Sequence, residues 1–219
     1  MKGLEWLARV GPSPLDPWRY AMGWSEVAAR NHARRLEREA WLERCPMTRG
    51  DGSLFLATRK GVTVLGLPVI AATTPAPTWW AHDSACACAA SWMTVRGRRF
   101  LGSRELLDDP EWSGKLHWLD RHSFKQSGHR PDLVGFIQDA SVAIEVELAP
   151  KSKPRLAAIL NLSWLISRKT GGVIYICGDD EGCRRIKRAG ERVSIFATDH
   201  RWAPDRKARH DERPNNRRR

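Results

Sequence analysis

Two short apolar runs constrain this chain more than any other feature. They lie within His129-Arg-Pro-Asp-Leu-Val-Gly-Phe-Ile-Gln138 and Ser141-Val-Ala-Ile-Glu-Val-Glu-Leu-Ala-Pro-Lys151, joined by a polar turn at Asp139 and Ala140. Runs of this length bounded by turn residues read as two strands of a hairpin. Asp132 stands at the head of the first run, and Glu145 and Glu147 lie inside the second. A strand alternates faces with period two. Glu145 and Glu147 therefore point one way, and Val142, Ile144, Val146 and Leu148 the other. Two carboxylates on one strand face repel and lose hydration unless a cation or a base compensates them. The pattern predicts a divalent-metal site.

The charge distribution gives a polyanion reason to approach that site. The net charge is +12, and it is uneven. Residues 1–69 hold 11 Lys/Arg against 7 Asp/Glu, residues 184–219 hold 13 against 5, and the stretch between is neutral. Basic flanks around a neutral middle with internal acids fit double-stranded DNA; a solubilising C-terminal tail is the plainer alternative. With 42% hydrophobic residues the chain can build a packed core. Its five cysteines, at 45, 86, 88, 177 and 183, are odd in number and mostly in apolar settings, as expected for a reduced, cytoplasmic protein. Met1–Val10 contains Glu5 and no long apolar region, so no signal peptide is expected, and no apolar run is long enough to cross a membrane.

Residues 1–67 read as one unit. Lys2–Val10 is a short helix, and Gly11-Pro-Ser-Pro14 breaks it. Asp16 with Pro17 offers a cap and first-turn proline for a second helix to about Met22, ended by Gly23. Ser25 caps a third helix expected to run to about Arg44, with Val27, Ala28, Leu36, Ala40 and Trp41 at helical spacing. Arg49-Gly-Asp-Gly52 is a turn, and Ser53–Thr58 a strand. Thr58–Gly66 closes the unit as either helix or strand. Three helices followed by a glycine-tipped hairpin is the order of a winged helix-turn-helix. In that reading Ser25, Arg30, Asn31, Arg34 and Arg35 form a DNA-binding face, and Arg49 reaches from the wing tip. The plainer reading is a solvated face, with Arg30, Arg34, Arg35 and Arg38 paired to Glu26, Glu37 and Glu39.

Residues 68–77, rich in Pro and Thr, read as a linker. A second domain is expected over 78–199, and a basic tail without periodicity over 200–219. Its elements are a helix at 78–94, a short strand at 96–102 and a helical turn at 103–109. After the acidic hairpin come a helix at 154–169, a strand at 171–177, a basic helix at 179–189 and a strand at 193–197. Residues 110–128 give no clear pattern. His82 and Cys86 share a helix face, but Cys88 does not, and no second cysteine pair has zinc spacing. They read as core residues. Gly171-Gly172 precedes a strand and so is not a phosphate loop. The two tyrosines, Tyr20 and Tyr175, have no cluster of three histidines beside them, which argues against tyrosyl-linked cleavage.

The order of elements, with Thr58-x-x-Gly61, Leu65-Gly-Leu67, His82-Asp83, Arg96-Gly97, His129-Arg-Pro-Asp132, Ala143-Ile-Glu-Val-Glu147 and Gly172-Val-Ile-Tyr175, resembles the actinobacterial plasmid replication-relaxation proteins. These join a winged helix to a core of the PD-(D/E)xK nuclease superfamily. The resemblance covers roughly residues 1–195. It implies an α/β fold of α+β type, with a mixed-sheet nuclease-like core. It also implies Mg²⁺ (or Mn²⁺) on Asp132 and Glu145, and hydrolysis of a phosphodiester. The superfamily lysine, two residues past the first acid of its strand, falls at Glu147. Lys151 or Lys153 would then supply the ammonium, or Glu147 would be a third ligand, with His129 as a water-positioning or turn-stabilising group. The competing expectation is a non-enzymatic DNA-binding regulator, as a monomer or a homodimer, using the same fold as a scaffold.

Overall fold

Lys2–Val10 forms helix α1, whose Leu4, Leu7, Ala8 and Val10 are buried. Ser13–Pro14 is a two-residue strand, β1. The next helix, α2, runs Leu15–Met22. Its N-cap is Pro14 in an extended conformation, with Asp16 inside the first turn, so the helix opens two residues before the expected cap. Gly23 ends it at φ 67°, the left-handed turn that a glycine adopts without a Cβ penalty. Ser25 caps α3, Glu26–Arg38, by accepting the Ala28 N–H.

The expected continuation of α3 to Arg44 does not occur. Ala40 takes φ 56°, and Leu42–Pro46 becomes strand β2, paired antiparallel with β3, Ser53–Ala57. The inward stripe of α3 is Ala29, Ala33 and Leu36, while Val27, expected inward, is 68% exposed. Strand order in this first sheet is β1-β3-β2. Residues Arg59–Val64 form helix α4, which resolves the open choice for that stretch. Thr58 Oγ1 donates to the Ala40 carbonyl and accepts the Gly61 N–H, so the threonine clamps α4 against the turn that ends α3. A Cβ at Gly61 would lie 2.2 Å from the Trp41 carbonyl oxygen. Thr58-x-x-Gly61 is thus a capping and close-packing device.

The computed structural model describes residues 1–47, 52–68, 71–107, 109–112, 114–116, 127–137, 140–149, 151–167 and 172–190. Arg49, Asp139, the strand expected at 193–197 and the tail at 200–219 lie outside these. After a 3-10 turn at Pro77–Trp79 comes helix α5, Trp80–Val95. Phe100–Leu101 (β4) and a 3-10 turn at Glu105–Leu107 follow. Gly114–Leu116 (β5) and Ser127–His129 (β6) then pair as a small antiparallel ladder, in the stretch without a readable pattern. The hairpin strands are β7, Leu133–Ile137, and β8, Ala140–Glu147. Helix α6, Lys153–Ser167, crosses over to β9, Val173–Cys177, and α7 spans Asp180–Gly190. The second sheet has order β4-β7-β8-β9, with β9 parallel to β8 and the other pairs antiparallel. The protein is therefore mixed α/β, with seven α-helices among the described residues.

Each face of this sheet meets a different layer. Leu133 and Ile144 join a core with Ala87, Ala89, Ala90 and Met93 of α5 and with Leu4, Leu7 and Trp18 of the first unit. Val134, Ala143, Val173 and Tyr175 pack instead on Leu156, Leu160 and Ile186. The first core crosses the 68–77 segment, and polar contacts reinforce it. Trp6 Nε1 donates to Thr94 Oγ1 at 2.9 Å, Arg9 pairs with Glu105 at 3.0 Å, and Ser103 Oγ donates to the Val10 carbonyl. At Gly102 a Cβ would sit 2.1 Å from the Arg9 carbonyl oxygen, so the two backbones meet where a side chain cannot fit.

Candidate functional site

The β7–β8 register explains why the acids gather where they do. Leu133 pairs with Ile144, so residues 145–147 of β8 extend past the start of β7. On their other side they remain paired with Tyr175, Ile176 and Cys177 of β9. The free edge needs an acceptor, and Asp132 supplies it: Oδ2 accepts the Val146 N–H at 2.7 Å. A proline at 131 followed by an aspartate thus ends the ladder with a side chain in place of a backbone carbonyl.

Each of the three expected carboxylates is held by a base from a different part of the chain. Asp132 Oδ1 lies 3.2 Å from His82 Nε2 of α5. Glu145 Oε1 lies 2.8 Å from His129 Nε2 at the end of β6. Glu147, almost fully buried, accepts a hydrogen bond from Lys151 in the loop after β8. Glu145 and Glu147 are both buried, as alternation predicts for one strand face. Their cost is offset by bases, the second of the two compensations the pattern allowed. Lys153 is exposed on the first turn of α6. His129, considered as a neighbour of Asp132, is bonded to Glu145.

The protonation preferences of the cluster run in one direction. The Asp132 bond raises the His82 pKa above its ordinary value, against the opposing effect of burial. Burial alone would lower His129, but its bond to Glu145 and the charges of Glu145 and Asp132 outweigh this and raise it. Burial pushes Glu145 up, and the His129 bond only partly restores it. Burial also lifts the Asp83 carboxyl to about 6. The cluster therefore favours bound protons, through burial at the carboxyls and through the paired acids at the imidazoles.

Sequence reasoning missed the role of His82. Its partner Asp132 is 50 positions away, and no spacing rule links them. His82 Nδ1 also lies 3.6 Å from Cys86 Sγ, the i+4 neighbour on α5. Among the described residues, His82, Cys86 and Asp132 are the group whose ligand atoms all lie within 4.8 Å of one another. Asp132 is drawn toward α5, so Asp132, Glu145 and Glu147 do not form a trio at that spacing. Cys86 is buried, and burial raises its thiol pKa well above the usual value. Cys88 turns away from this face, as its helical position predicts.

On the other unit, Ser25, Arg30, Asn31, Arg34, Arg35 and Arg38 are exposed around α3. Of the arginines, Arg30 pairs with Glu26 at 2.7 Å and Arg35 lies 3.0 Å from His32 Nδ1. Among the described residues Asn31, Arg34 and Arg38 have no side-chain hydrogen bond or ion pair. The fully solvated pairing of this face with Glu37 and Glu39 is not what forms. A surface depression is lined by Asn31, Arg34, Glu37 and Arg38. His32 belongs to the packing, its ring 4.6 Å from Trp24 and 5.8 Å from Trp18. Tyr175 is buried and hydrogen-bonded to Ser163, which removes it as a nucleophile, and Tyr20 is 61% exposed on α2. No helix among the described residues is long and apolar enough to cross a membrane.

No protein-family model matches the chain, and neither a curated protein nor a solved structure matches it.

Proposed function

We propose that this protein binds double-stranded DNA through α3 and the β2–β3 hairpin, and that its acidic site serves metal-dependent hydrolysis of a phosphodiester in plasmid or mobile-element DNA. The observation that carries the reading is the constellation at the end of β8. Asp132 and Glu145 lie on neighbouring strands, and an ammonium arrives from Lys151 to meet Glu147. Such a set supplies two acids and a lysine, with the lysine displaced from strand to loop.

Order and sheet topology support the first half. The sequence α1, β1, α2, α3, β2, β3, with sheet order β1-β3-β2, matches the order expected of a winged helix. In that fold α3 enters the major groove. Asn31 and Arg34 suit base edges and phosphates, and exposed Val27 suits a thymine methyl.

The donor set is compatible with a hard divalent ion. Mg²⁺ keeps several waters and is held by one or two carboxylates, so Asp132 and Glu145 suffice without Glu147. When bound, the metal would polarise the phosphate and acidify a water. Lys151 would balance the charge of a phosphate held there, and Glu147 fixes where the ammonium sits. His129 and His82 hold the two acids in place and accept or release protons as those acids change partner.

The test is nicking of supercoiled plasmid by the full-length chain with Mg²⁺ or Mn²⁺. Nicked circles are expected, falling to background in Asp132→Ala and Glu145→Ala, while anisotropy with a labelled duplex stays unchanged. DNA binding with no cleavage in either metal overturns the enzymatic half. One observation favours the runner-up, a non-enzymatic DNA-binding regulator: every carboxylate is already paired with a base, which neutralises the site without metal. Retained plasmid function in the two alanine variants is the outcome that reading requires.

A further inference from the structure

The donors gathered around His82 are of a different chemical kind from those of an all-oxygen site. His82 and Cys86 come from successive turns of α5, and Asp132 from the head of β7. A borderline nitrogen, a soft sulfur and a hard oxygen within 4.8 Å of one another form a mixed donor set. Zinc-class ions favour such a set, and Mg²⁺ does not. The dimensions agree. Zinc–nitrogen and zinc–sulfur bonds of about 2.0 and 2.3 Å give a tetrahedral N···S edge of roughly 3.5 Å. The His82 Nδ1 to Cys86 Sγ separation is 3.6 Å. Cys86 forms the closed end of the site, while the His82 and Asp132 side chains keep 25% and 21% of their surface exposed and leave an entrance.

We infer that His82, Cys86 and Asp132 form a binding site for a zinc-class transition ion, with a fourth position open to water. One metal takes one imidazole nitrogen. Loading therefore keeps the Nδ1–Sγ side, displaces the thiol proton, and moves an Asp132 oxygen from His82 Nε2 to the ion. The thiol proton leaves to solvent, and His82 keeps its own proton on Nε2. Three protein ligands and an open position make a site of the catalytic type. The inference shares Asp132 with the nuclease reading but none of its other ligands: Cys86 and His82 have no place in an oxygen-ligated Mg²⁺ site, and Glu145 has none here.

Titration of the full-length, reduced protein with Co²⁺ tests it. One equivalent is expected to give visible ligand-field bands and a near-ultraviolet sulfur-to-cobalt band, both abolished by one equivalent of Zn²⁺. Cys86→Ala should remove the sulfur band, His82→Asn should weaken binding by at least tenfold, and Cys88→Ser should change neither. Absence of the bands, or their persistence in Cys86→Ala, overturns the site. Should Cys86→Ala fail to fold, Cys86→Ser decides. It must lose the sulfur-to-cobalt band; persistence of that band overturns the proposal. Loss of Mg²⁺-dependent nicking with cobalt binding intact would strike the nuclease reading alone.

Discussion

The two charged regions of this molecule are built on opposite principles. Around α3 the charges are exposed, and Asn31, Arg34 and Arg38 have no partner among the described residues. Around the end of β8 the charges are sheltered, and each carboxylate holds a base. An exposed cation costs the fold little and keeps its capacity for an incoming anion. A buried carboxylate without a partner would cost several kcal/mol, so it can be kept only in a pair, and any ligand must enter by exchange. The first region is ready as folded. The second is held in a resting arrangement that a cation or a proton can rewrite.

Breaking a pair in the sheltered region should have the largest effect. Lys151→Met leaves Glu147 buried and unpaired, and should destabilise the protein by about 2–3 kcal/mol, less than for a fully buried pair because Lys151 is partly exposed. Urea unfolding at neutral pH measures it, and restoration by Glu147→Gln in the same chain is expected. An unchanged midpoint would mean that the pair contributes nothing.

Next in size is the dependence on pH. The Asp83 carboxyl titrates near 6 in the fold, above its usual value, because burial disfavours its charge. Its contribution is full below about 4, the ordinary carboxylate value, and is lost as pH rises through 6. His82 and His129, also raised, act in the same direction from about 6.5 upward. Stability should therefore fall from about pH 4 upward and go on falling above about pH 6.5, and Asp83→Asn should flatten the lower part of that slope. A slope of opposite sign, read from urea midpoints, would show that the site does not prefer protons.

The smallest effect on stability belongs to α3. Arg34→Ala should shift the unfolding free energy by less than about 0.5 kcal/mol. In the same variant the salt dependence of duplex binding should lose about one unit of slope. Loss of stability without change in slope would make Arg34 a structural residue and erase the contrast.

The two regions also differed in how far the chain announced them. The acidic hairpin was readable because two short apolar runs with internal glutamates admit few other conformations, and the α6 and β9 patterns followed from local periodicity. The end of α3 was hidden, because Glu39, Ala40 and Trp41 continue a helical pattern while Ala40 turns left-handed under the Thr58 clamp. Trp41 backbone contacts with Thr58 and Gly61 are tertiary, and residues 39–41 carry no trace of them. β5 and β6 pair although residues 117–126 separate them in sequence, and residues 110–128 carry no apolar periodicity to reveal either strand. Within the site the acids were legible from strand alternation. Their bases were not, since His82 and His129 reach them from other elements. The His82–Cys86 spacing was visible, but two donors on one helix specify nothing until a third comes from elsewhere.

Helix α5 joins the first unit to the acidic site. Its first half carries His82 and Cys86, and its last turn holds Trp6 through Thr94, with Met93 in the core that contains Trp18 and Ile144. The helix is about 24 Å long at the usual rise. One continuous helix thus sets the spacing between the first unit and the acids. On the proposed DNA-binding reading, length acts beside contact: an inserted turn in α5 would change where the acids fall along the bound duplex before it changed how tightly that duplex is held.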